Sequence, residues 1–399
     1  MIDEGPGSRG VGRRLLLAGT AGLLAPGVAH AQVGLPGAPV VLNIMDVAGA
    51  LQIDRPGIER FRAQFPKLMS RFNVQLAPSP ELAGKLRAQQ AAGRVDIDFV
   101  LLGLGPLSDG ITQGVWTQLL PDHADVLPDL NKILIPGAKL LQDNFGRGFG
   151  IEVSYTPSGP LLEYIPERVG AAVPKTAQEL LDWTRAHPRR FVYARPANSG
   201  PGWTFLQGLP YILGDRDPAD PVNGWDKSWG YLQALGESVD YYPSGTAVTM
   251  KELGEGTRDI ITSACGWDLN PRVLGIVPKE AKVAMLEGTH WLPDAHFMAI
   301  PKGVAPEKIA VGVRLMAFLL EPAQQVLTYD KGYLYPGPVI ANAPLSEAPQ
   351  ESQDIVAEFG RPEYAEWIRD RPVAPPLTPD RLVAAFRRWD EQIGAKAKR

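Results

Sequence analysis

The sequence contains very little cysteine and histidine. Its 399 residues include one cysteine, Cys265, and five histidines. A single cysteine excludes an internal disulfide and a cysteine-based zinc site, and it is compatible with an oxidising compartment, where a second thiol would tend to be oxidised. No stretch contains the roughly 20 uncharged apolar residues of a membrane-spanning helix. The sequence therefore indicates neither a disulfide-stapled scaffold nor a long apolar span.

An excess of charge of one sign is also lacking. The 40 Lys and Arg residues nearly balance the 44 Asp and Glu residues, and the formal net charge is −4. This balance argues against a nucleic-acid-binding protein, which usually carries a strongly basic surface. The apolar fraction of 45% is too high for a disordered chain. The 42 glycines and 38 prolines predict many turns, and the length predicts two domains of roughly 100–200 residues.

The motifs of common enzyme classes are missing as well. The sequence has no G-x-S-x-G, no G-x-x-x-x-G-K-[ST], no H-E-x-x-H and no C-x-x-C. The glycine-rich residues 146–150 precede an expected strand, whereas a phosphate-binding loop precedes a helix. His290 and His296 flank a bend between two expected strands, where surface or core imidazoles are commoner than metal ligands. We therefore predict no catalytic residue, no cofactor and no metal.

What the sequence does have begins with an export signal. Arg13 and Arg14 precede the apolar residues 15–28, and Ala29 and Ala31 form an A-x-A cleavage site. This order predicts a secretory signal peptide over residues 1–31, cleaved after Ala31, and hence a periplasmic protein. The paired arginines resemble a twin-arginine signal, and the sequence leaves Sec export open. Without the signal and the basic residues 374–399, the body carries a charge of about −8, which favours a cationic ligand weakly.

The mature chain alternates strand and helix patterns. Strands are predicted at 40–46, 72–77, 97–102, 148–155, 191–195, 256–263, 282–287 and 295–300, with an extended segment at 239–242. Helices are predicted from residue 55 to about 65 and at 81–92, 177–186, 203–213, 226–236, 306–320 and 379–392. Because a strand–helix–strand order places the strands parallel with the helices as crossovers, the pattern predicts an α/β fold.

Several segments resemble a known family. Residues 315–338 (LMAFLLEPAQQVLTYDKGYLYPGP) resemble the part of extracellular solute-binding proteins of ABC importers where a helix ends in FLLSPEAQ and a GYVPG-like turn follows. Residues 174–181 (PKTAQELL) are similar to that family's P-x-T-W-x-E-L segment. Residues 193–226 and 290–302 resemble its YnjB-like branch. The resemblance extends over the mature chain to about residue 345 and indicates a family 1, type II binding protein.

This resemblance implies a two-lobed periplasmic-binding-protein-like fold of type II. Each lobe would be a mixed, mostly parallel sheet flanked by helices, with a cleft between the lobes. Lobe one would comprise 32–147 plus 296–345, lobe two 148–295 including the crossover strands, and 346–399 a C-terminal helical extension. The protein would be a monomer that closes around a solute by a hinge motion. It would deliver that solute to permease subunits in the inner membrane, served by a separate ATPase, with no role for nucleic acid.

The predicted site lies in the loops that follow the strands, because ligands of open α/β sheets bind outside the carboxyl ends of the strands. Loop 198–202 offers backbone N–H groups ahead of a helix, loop 103–106 allows close approach of the backbone to a ligand, and loop 264–268 places an aromatic ring beside a carboxylate. The predicted ligand-binding residues are Asp46, Gly103, Tyr155, Asn198, Ser199, Gly200, Trp203, Trp267, Asp268, Glu287 and Trp291. Carboxylates with aromatic faces favour a small cationic or zwitterionic organic ligand.

Four alternatives stay open at this point. Some relatives bind ferric iron through a tyrosine pair, and Tyr241 and Tyr242 are adjacent, although they precede the late strand of the second lobe where such pairs lie. Another metal or an oxyanion would also fit the same fold. A periplasmic enzyme would turn its substrate over, whereas a binding protein would not. A sensory role would use the same cleft with a different downstream partner.

Overall fold

Two mixed β-sheets, one in each lobe, organise the molecule. The computed structural model describes residues 35–47, 49–77, 82–170 and 173–395, all within one compact unit, Val33–Arg399. The predicted signal peptide lies outside the described residues. The strands are β1 (Val40–Asp46), β2 (Met69–Leu76), β3 (Phe99–Leu102), β4 (Gly150–Gly159), β5 (Leu161–Tyr164), β6 (Phe191–Val192), β7 (Ile260–Ser263), β8 (Lys282–Ala284) and β9 (Leu292–Ala299).

Helices cover these sheets and extend the chain beyond them. They are α1 (Leu51–Gln64), α2 (Leu82–Ala91), α3 (Leu104–Thr112), α4 (Leu130–Ile133), α5 (Pro136–Leu141), α6 (Pro166–Val169), α7 (Ala177–Ala186), α8 (Gly200–Leu213), α9 (Asp226–Gly236), α10 (Thr246–Glu255), α11 (Asn270–Val273), α12 (Pro306–Leu319), α13 (Pro322–Gln325), α14 (Gln350–Phe359), α15 (Glu363–Asp370) and α16 (Pro379–Trp389). Short 3₁₀ segments (Pro196–Asn198, Val326–Tyr329, Leu345–Glu347) and π-helical turns (Gln142–Gly146, Asp390–Gly394) complete the helical structure.

The first sheet has the order β2-β1-β3-β9-β4. β1 is parallel to β2 and β3, with Ile44 opposite Phe99. β9 is antiparallel to both β3 and β4. The parallel part brings the carboxyl ends of β1 and β3 to one edge, and α3 begins there directly after β3. This edge is where the sequence predicts ligand contacts.

The second sheet has the order β6-β7-β5-β8. β6 and β7 are parallel, but β5 is antiparallel to both β7 and β8. The mixed α/β fold class is confirmed, but neither sheet is mostly parallel: two of the four strand pairings in the first sheet and two of the three in this one are antiparallel. The departure is larger in the second sheet. The reason is that β5 follows β4 after one residue, Pro160, without a crossover helix. A direct step between sheets does not impose the parallel pairing that a helical crossover does.

Most predicted elements are present, and the differences have local causes. β1, α7 and α9 have the predicted bounds. Residues 239–242 form no strand, and 103–106 belong to a cap and the first turn of α3 instead of an open loop. The glycines and the proline in α3 obscured this helix, although proline is tolerated in a first turn, where its missing N–H costs no helical hydrogen bond.

The C-terminal extension packs along the second lobe. The Trp291 backbone N–H donates to Pro372 O, and Ala374 N–H donates to Trp291 O, both at 2.8 Å. Leu377 N–H then donates to the Gln207 side-chain oxygen at 2.8 Å. These bonds lead the chain into α16, which lies at the mouth of the cleft described below.

One helical pair approaches the dimensions of a membrane span. In the described part of the chain, no helix is by itself long and apolar enough to cross a membrane. Pro306–Leu319 and Pro322–Tyr329, bent by 78° at their break, meet the criteria of length and composition only as a pair.

Candidate ligand-binding cleft

A cavity of about 460 Å³ lies between the two lobes, within the size range of small-molecule sites. Its walls are formed by strand ends, helix starts and α16. The lining residues are Val47, Gly103, Leu104, Gly105, Pro106, Pro196, Ala197, Asn198, Ser199, Gly200, Trp203, Thr246, Trp267, Asp294, His296, Tyr333, Leu334, Leu382 and Phe386. Among these described lining residues there is no lysine or arginine, so the fixed side-chain charge of the wall is negative.

Two helices point their N-termini into the cleft from opposite lobes. α3 begins after Gly103, which has no side chain to cap it. α8 begins after Ser199, whose hydroxyl accepts the Gly202 N–H at 3.1 Å and forms a 2.8 Å hydrogen bond with the Thr246 hydroxyl. Helix N-termini present unpaired N–H groups and a partial positive charge. The uncapped start of α3 can therefore hold a carboxylate or carbonyl oxygen.

Asp294 supplies a carboxylate to the cleft from β9. Its Oδ1 accepts the Ala295 N–H at 2.9 Å. A Cβ built on Gly200 would lie 4.0 Å from Asp294 Oδ2, so this carboxylate is close to the first residue of α8. Burial raises the pKa of Asp294 to about 6. Asp294 is thus mainly ionised at neutral pH, although a larger fraction of it is protonated than of an exposed aspartate.

Glu152 and His296 accompany Asp294 on the paired strands β4 and β9. Glu152 is completely buried, and neither of its carboxyl oxygens has a hydrogen-bond partner among the described residues. Burial, and then the charge of Asp294, raise its pKa well above the ordinary value. Burial lowers the pKa of His296 to about 4. At neutral pH His296 is therefore uncharged and Asp294 is ionised, whereas Glu152 holds its proton more tightly than an exposed glutamate does.

Two aromatic rings, Trp267 and Tyr333, line the same cleft as the Asp294 carboxylate. The Trp267 and Tyr333 ring centroids are 5.4 Å apart with an interplanar angle of 58°. The loop of Trp267 approaches Tyr333 closely, since a Cβ on Gly266 would lie 2.4 Å from Tyr333 O. Burial first, and then the charges of Asp46 and Asp294, raise the pKa of Tyr333 to about 12. Ring faces beside carboxylates form a favourable environment for an organic cation.

The structure brings together six of the residues predicted from sequence. Gly103, Asn198, Ser199, Gly200, Trp203 and Trp267 all line the cleft. Asp46 ends β1 immediately before the lining residue Val47, and its charge acts on Tyr333. Whether any of these residues contacts ligand stays a prediction.

Four predicted residues do not lie on the cleft wall. Asp268 is fully buried and accepts a 2.9 Å bond from Arg361 Nε. Trp291 is also fully buried, and its indole donates to Trp367 O at 3.0 Å. In both cases the C-terminal extension covers the side chain. Tyr155 packs against Gly137 inside the first lobe, where a Cβ would lie 2.1 Å from its hydroxyl.

Glu287 is the fourth of these residues, and it lies on the surface. Its side chain is exposed, while its backbone N–H donates to Lys175 O at 2.7 Å. The sequence predicts Glu287 as the last residue of a strand over 282–287, but β8 ends at Ala284, three residues earlier.

Sequence reasoning missed several lining residues. The most important are Asp294 and Tyr333, which complete the carboxylate and aromatic part of the site, and Leu382 and Phe386 of α16. A carboxylate directly before the predicted strand 295–300 was an available signal for Asp294. Leu382 and Phe386 are four residues apart on a predicted amphipathic helix, but nothing local indicated which surface that helix would cover.

Two lobes joined by paired strands, with a lined cleft between them, define the class of periplasmic binding proteins. Residues 58–357 match the family of bacterial extracellular solute-binding proteins. Since this match covers well over half of the sequence, the chain belongs to that family. The sequence prediction of a solute-binding protein is thereby confirmed.

Solved structures show the same fold at low sequence identity. The periplasmic thiamin binding protein is 14% identical with a TM-score of 0.61, over 92% of this chain and 100% of that one. The spermidine/putrescine ABC transporter substrate-binding protein PotD from Streptococcus pneumoniae is 14% identical with a TM-score of 0.59, over 88% and 99%. The apo ferric ion-binding protein A of Pasteurella haemolytica is 14% identical with a TM-score of 0.60, over 88% and 97%. No curated protein matches the sequence.

Proposed function

We propose that this solute-binding component of an ABC transporter captures a small cationic or zwitterionic organic solute. The observation that carries the ligand class is that Asp294 and the Trp267–Tyr333 ring pair line the same cleft, whose described lining has no basic side chain. An ammonium group would be held by the carboxylate and by the ring faces. The carboxylate of a zwitterion would be held by the N-terminus of α3, from the opposite lobe.

The names of the relatives support the same chemistry. Thiamin, spermidine and putrescine are organic molecules with positively charged nitrogen, and proteins named for them share this fold. The ferric ion-binding protein shares it too, so the fold alone does not select a ligand. The choice rests on the groups that line the cleft.

The ferric-iron alternative has little support from this cleft. Among the described residues, no group of three or more His, Cys, Asp or Glu side chains is arranged to hold a metal ion. The candidate tyrosine pair is also occupied elsewhere. Arg258 lies 5.3 Å from the Tyr241 ring, and Tyr242 packs 4.9 Å from both Tyr193 and Trp389.

The cellular setting follows from the same assignment. We place the mature protein in the periplasm as a monomer that works with permease subunits and a separate ATPase and releases its ligand unchanged. Its N-terminus would be Gln32, after removal of the signal peptide. The lobes would be divided as 32–147 plus 296–345 and 148–295, with 346–399 as the extension. N-terminal sequencing of the exported protein would test the cleavage position.

Native mass spectrometry of protein purified without added ligand tests the ligand class. We expect a retained nitrogen-containing organic molecule in the wild type, and its loss in Asp294→Asn. The exposed substitution Asp354→Asn is the matched control and should keep the ligand. Retention of a sugar or an inorganic oxyanion, with no affinity for amines in calorimetry, would contradict the proposal.

A further inference from the structure

We propose that α16 is the apolar wall of the cleft and makes the protein selective for ligands that carry an aromatic or alkyl group next to the charged nitrogen. This inference rests on the proposed function and specifies the ligand further. α16 spans Pro379–Trp389 and lies beyond residues 58–357, the part that matches the family.

The face that α16 turns to the cleft is apolar. Leu382 and Phe386 both line the cavity, and their spacing of four residues places them on one side of the helix. Leu382 is 7% exposed, whereas its neighbour Val383 is 66% exposed and faces solvent. α16 also contacts α3 of the first lobe. The Leu382–Phe386 face therefore closes one side of the space between the lobes.

α16 is fixed to the second lobe at both ends. At its end, the Trp389 indole donates to the Tyr193 hydroxyl at 2.9 Å. Near its start, Arg381 Nη1 donates to Asp220 Oδ1 at 2.7 Å. In its last turn, Arg388 donates to Val222 O at 2.6 Å. These anchors to the second lobe hold the apolar face in position against the cleft.

This wall completes a cleft with two different kinds of surface. Asp294, Trp267 and Tyr333 form a surface for a charged nitrogen, and Leu382 and Phe386 form a surface for hydrocarbon. A small ammonium ion would leave the second surface in contact with water. A ligand with a phenyl or branched alkyl group would cover it, and burial of that apolar area would strengthen binding in proportion to the area covered.

Two matched pairs of probes test this selectivity. Tetramethylammonium and benzyltrimethylammonium are cations that differ by one phenyl group, and glycine and phenylalanine are zwitterions that differ by one benzyl group. Calorimetry on the full mature protein should give the aromatic member at least about tenfold tighter binding within the charge type that binds. The advantage should fall below about threefold in the double variant Leu382→Ala/Phe386→Ala and persist in Val383→Ala.

A second variant keeps the test decisive if the double variant does not fold. Leu382→Trp keeps the helix apolar and fills the space beside Phe386, so it should also reduce the advantage of the aromatic probe. An unchanged advantage in folded Leu382→Ala/Phe386→Ala or in Leu382→Trp would overturn the inference and leave the proposed function standing. If none of the four probes binds the wild type, the proposed ligand class is overturned, and this inference with it.

Discussion

Replacement of Asp294 by asparagine should stabilise the ligand-free protein while weakening ligand binding. Asparagine keeps the size of the side chain and an oxygen that can accept the Ala295 N–H, but it removes the charge. Burial raises the pKa of Asp294 from 3.8 to about 6. A carboxyl whose pKa is higher in the folded protein than in the unfolded chain binds its proton more tightly when folded. Its ionisation therefore opposes folding.

The size of the effect follows from this pKa difference. Each pKa unit corresponds to about 1.4 kcal/mol, and the side chain is partly open to the cleft, which allows some screening by water. We therefore expect Asp294→Asn to raise the free energy of unfolding by about 2 kcal/mol at pH 8. The stability that the wild type has below pH 3.8 is lost as the pH rises through about 6. At pH 4.5 the gain should accordingly be below about 1 kcal/mol.

Urea unfolding of the ligand-free wild type and Asp294→Asn, at pH 8 and at pH 4.5, measures this difference directly. Glu152 and His296 are present in both proteins, so the stability that each of them gains or loses between these pH values largely cancels when the wild type and the variant are compared. Asp354→Asn, on the exposed face of α14, should not change stability at either pH. An equal gain in the free energy of unfolding at both pH values, or a loss at pH 8, would show that ionisation of Asp294 does not oppose folding.

Other substitutions separate the site from its supports. Trp267→Ala should weaken binding of an ammonium ligand about tenfold in calorimetry, because the ring face provides the contact. Trp267→Phe should recover part of this loss. Equal affinity in both variants would show that the ring does not contact the ligand. Asp268→Asn should lower the free energy of unfolding by about 3–5 kcal/mol, since it leaves Arg272 and Arg361 buried without their carboxylate, and ligand affinity lost with unchanged stability would contradict that role. Ser199→Ala should cost about 1 kcal/mol in urea unfolding, because it removes the cap of α8, and an unchanged midpoint would show that the cap is dispensable.

Elements defined by local chemistry could be predicted from the sequence. α7 is an example, because Thr176 accepts the Glu179 N–H at 3.1 Å and the Glu179 carboxylate accepts the Thr176 N–H at 3.3 Å. This capping box is visible as a four-residue pattern. β5 could not be predicted in this way. It is a four-residue strand directly behind Pro160, and its pairing with β7 and β8 depends on residues about 100 positions later.

The same contrast between local and distant determinants applies to the candidate site. Gly103 and Ser199 begin helices behind strands, so the topology of an α/β fold places them at the cleft. The orientation of Asp268 is instead decided by Arg361, 93 residues further along the chain. Trp267 and Asp268 are neighbours in sequence but have different roles. The Trp267 ring lines the cleft, whereas the Asp268 carboxylate binds Arg361 of the C-terminal extension. Composition of the loop alone could not separate them.

The raised pKa of Asp294 also links the stability of the protein to ligand binding. In the ligand-free protein burial raises the pKa of Asp294 to about 6, and the described lining of the cleft has no basic side chain to offset that burial. A bound ammonium group would supply the missing positive charge and lower that pKa again. Binding near pH 6 should therefore release protons, and the affinity should decrease as the pH falls below 6, because a protonated Asp294 attracts no cation. Calorimetry in two buffers of different ionisation enthalpy would measure that proton release, and a proton count of zero at pH 6 would exclude Asp294 as the group that holds the cation.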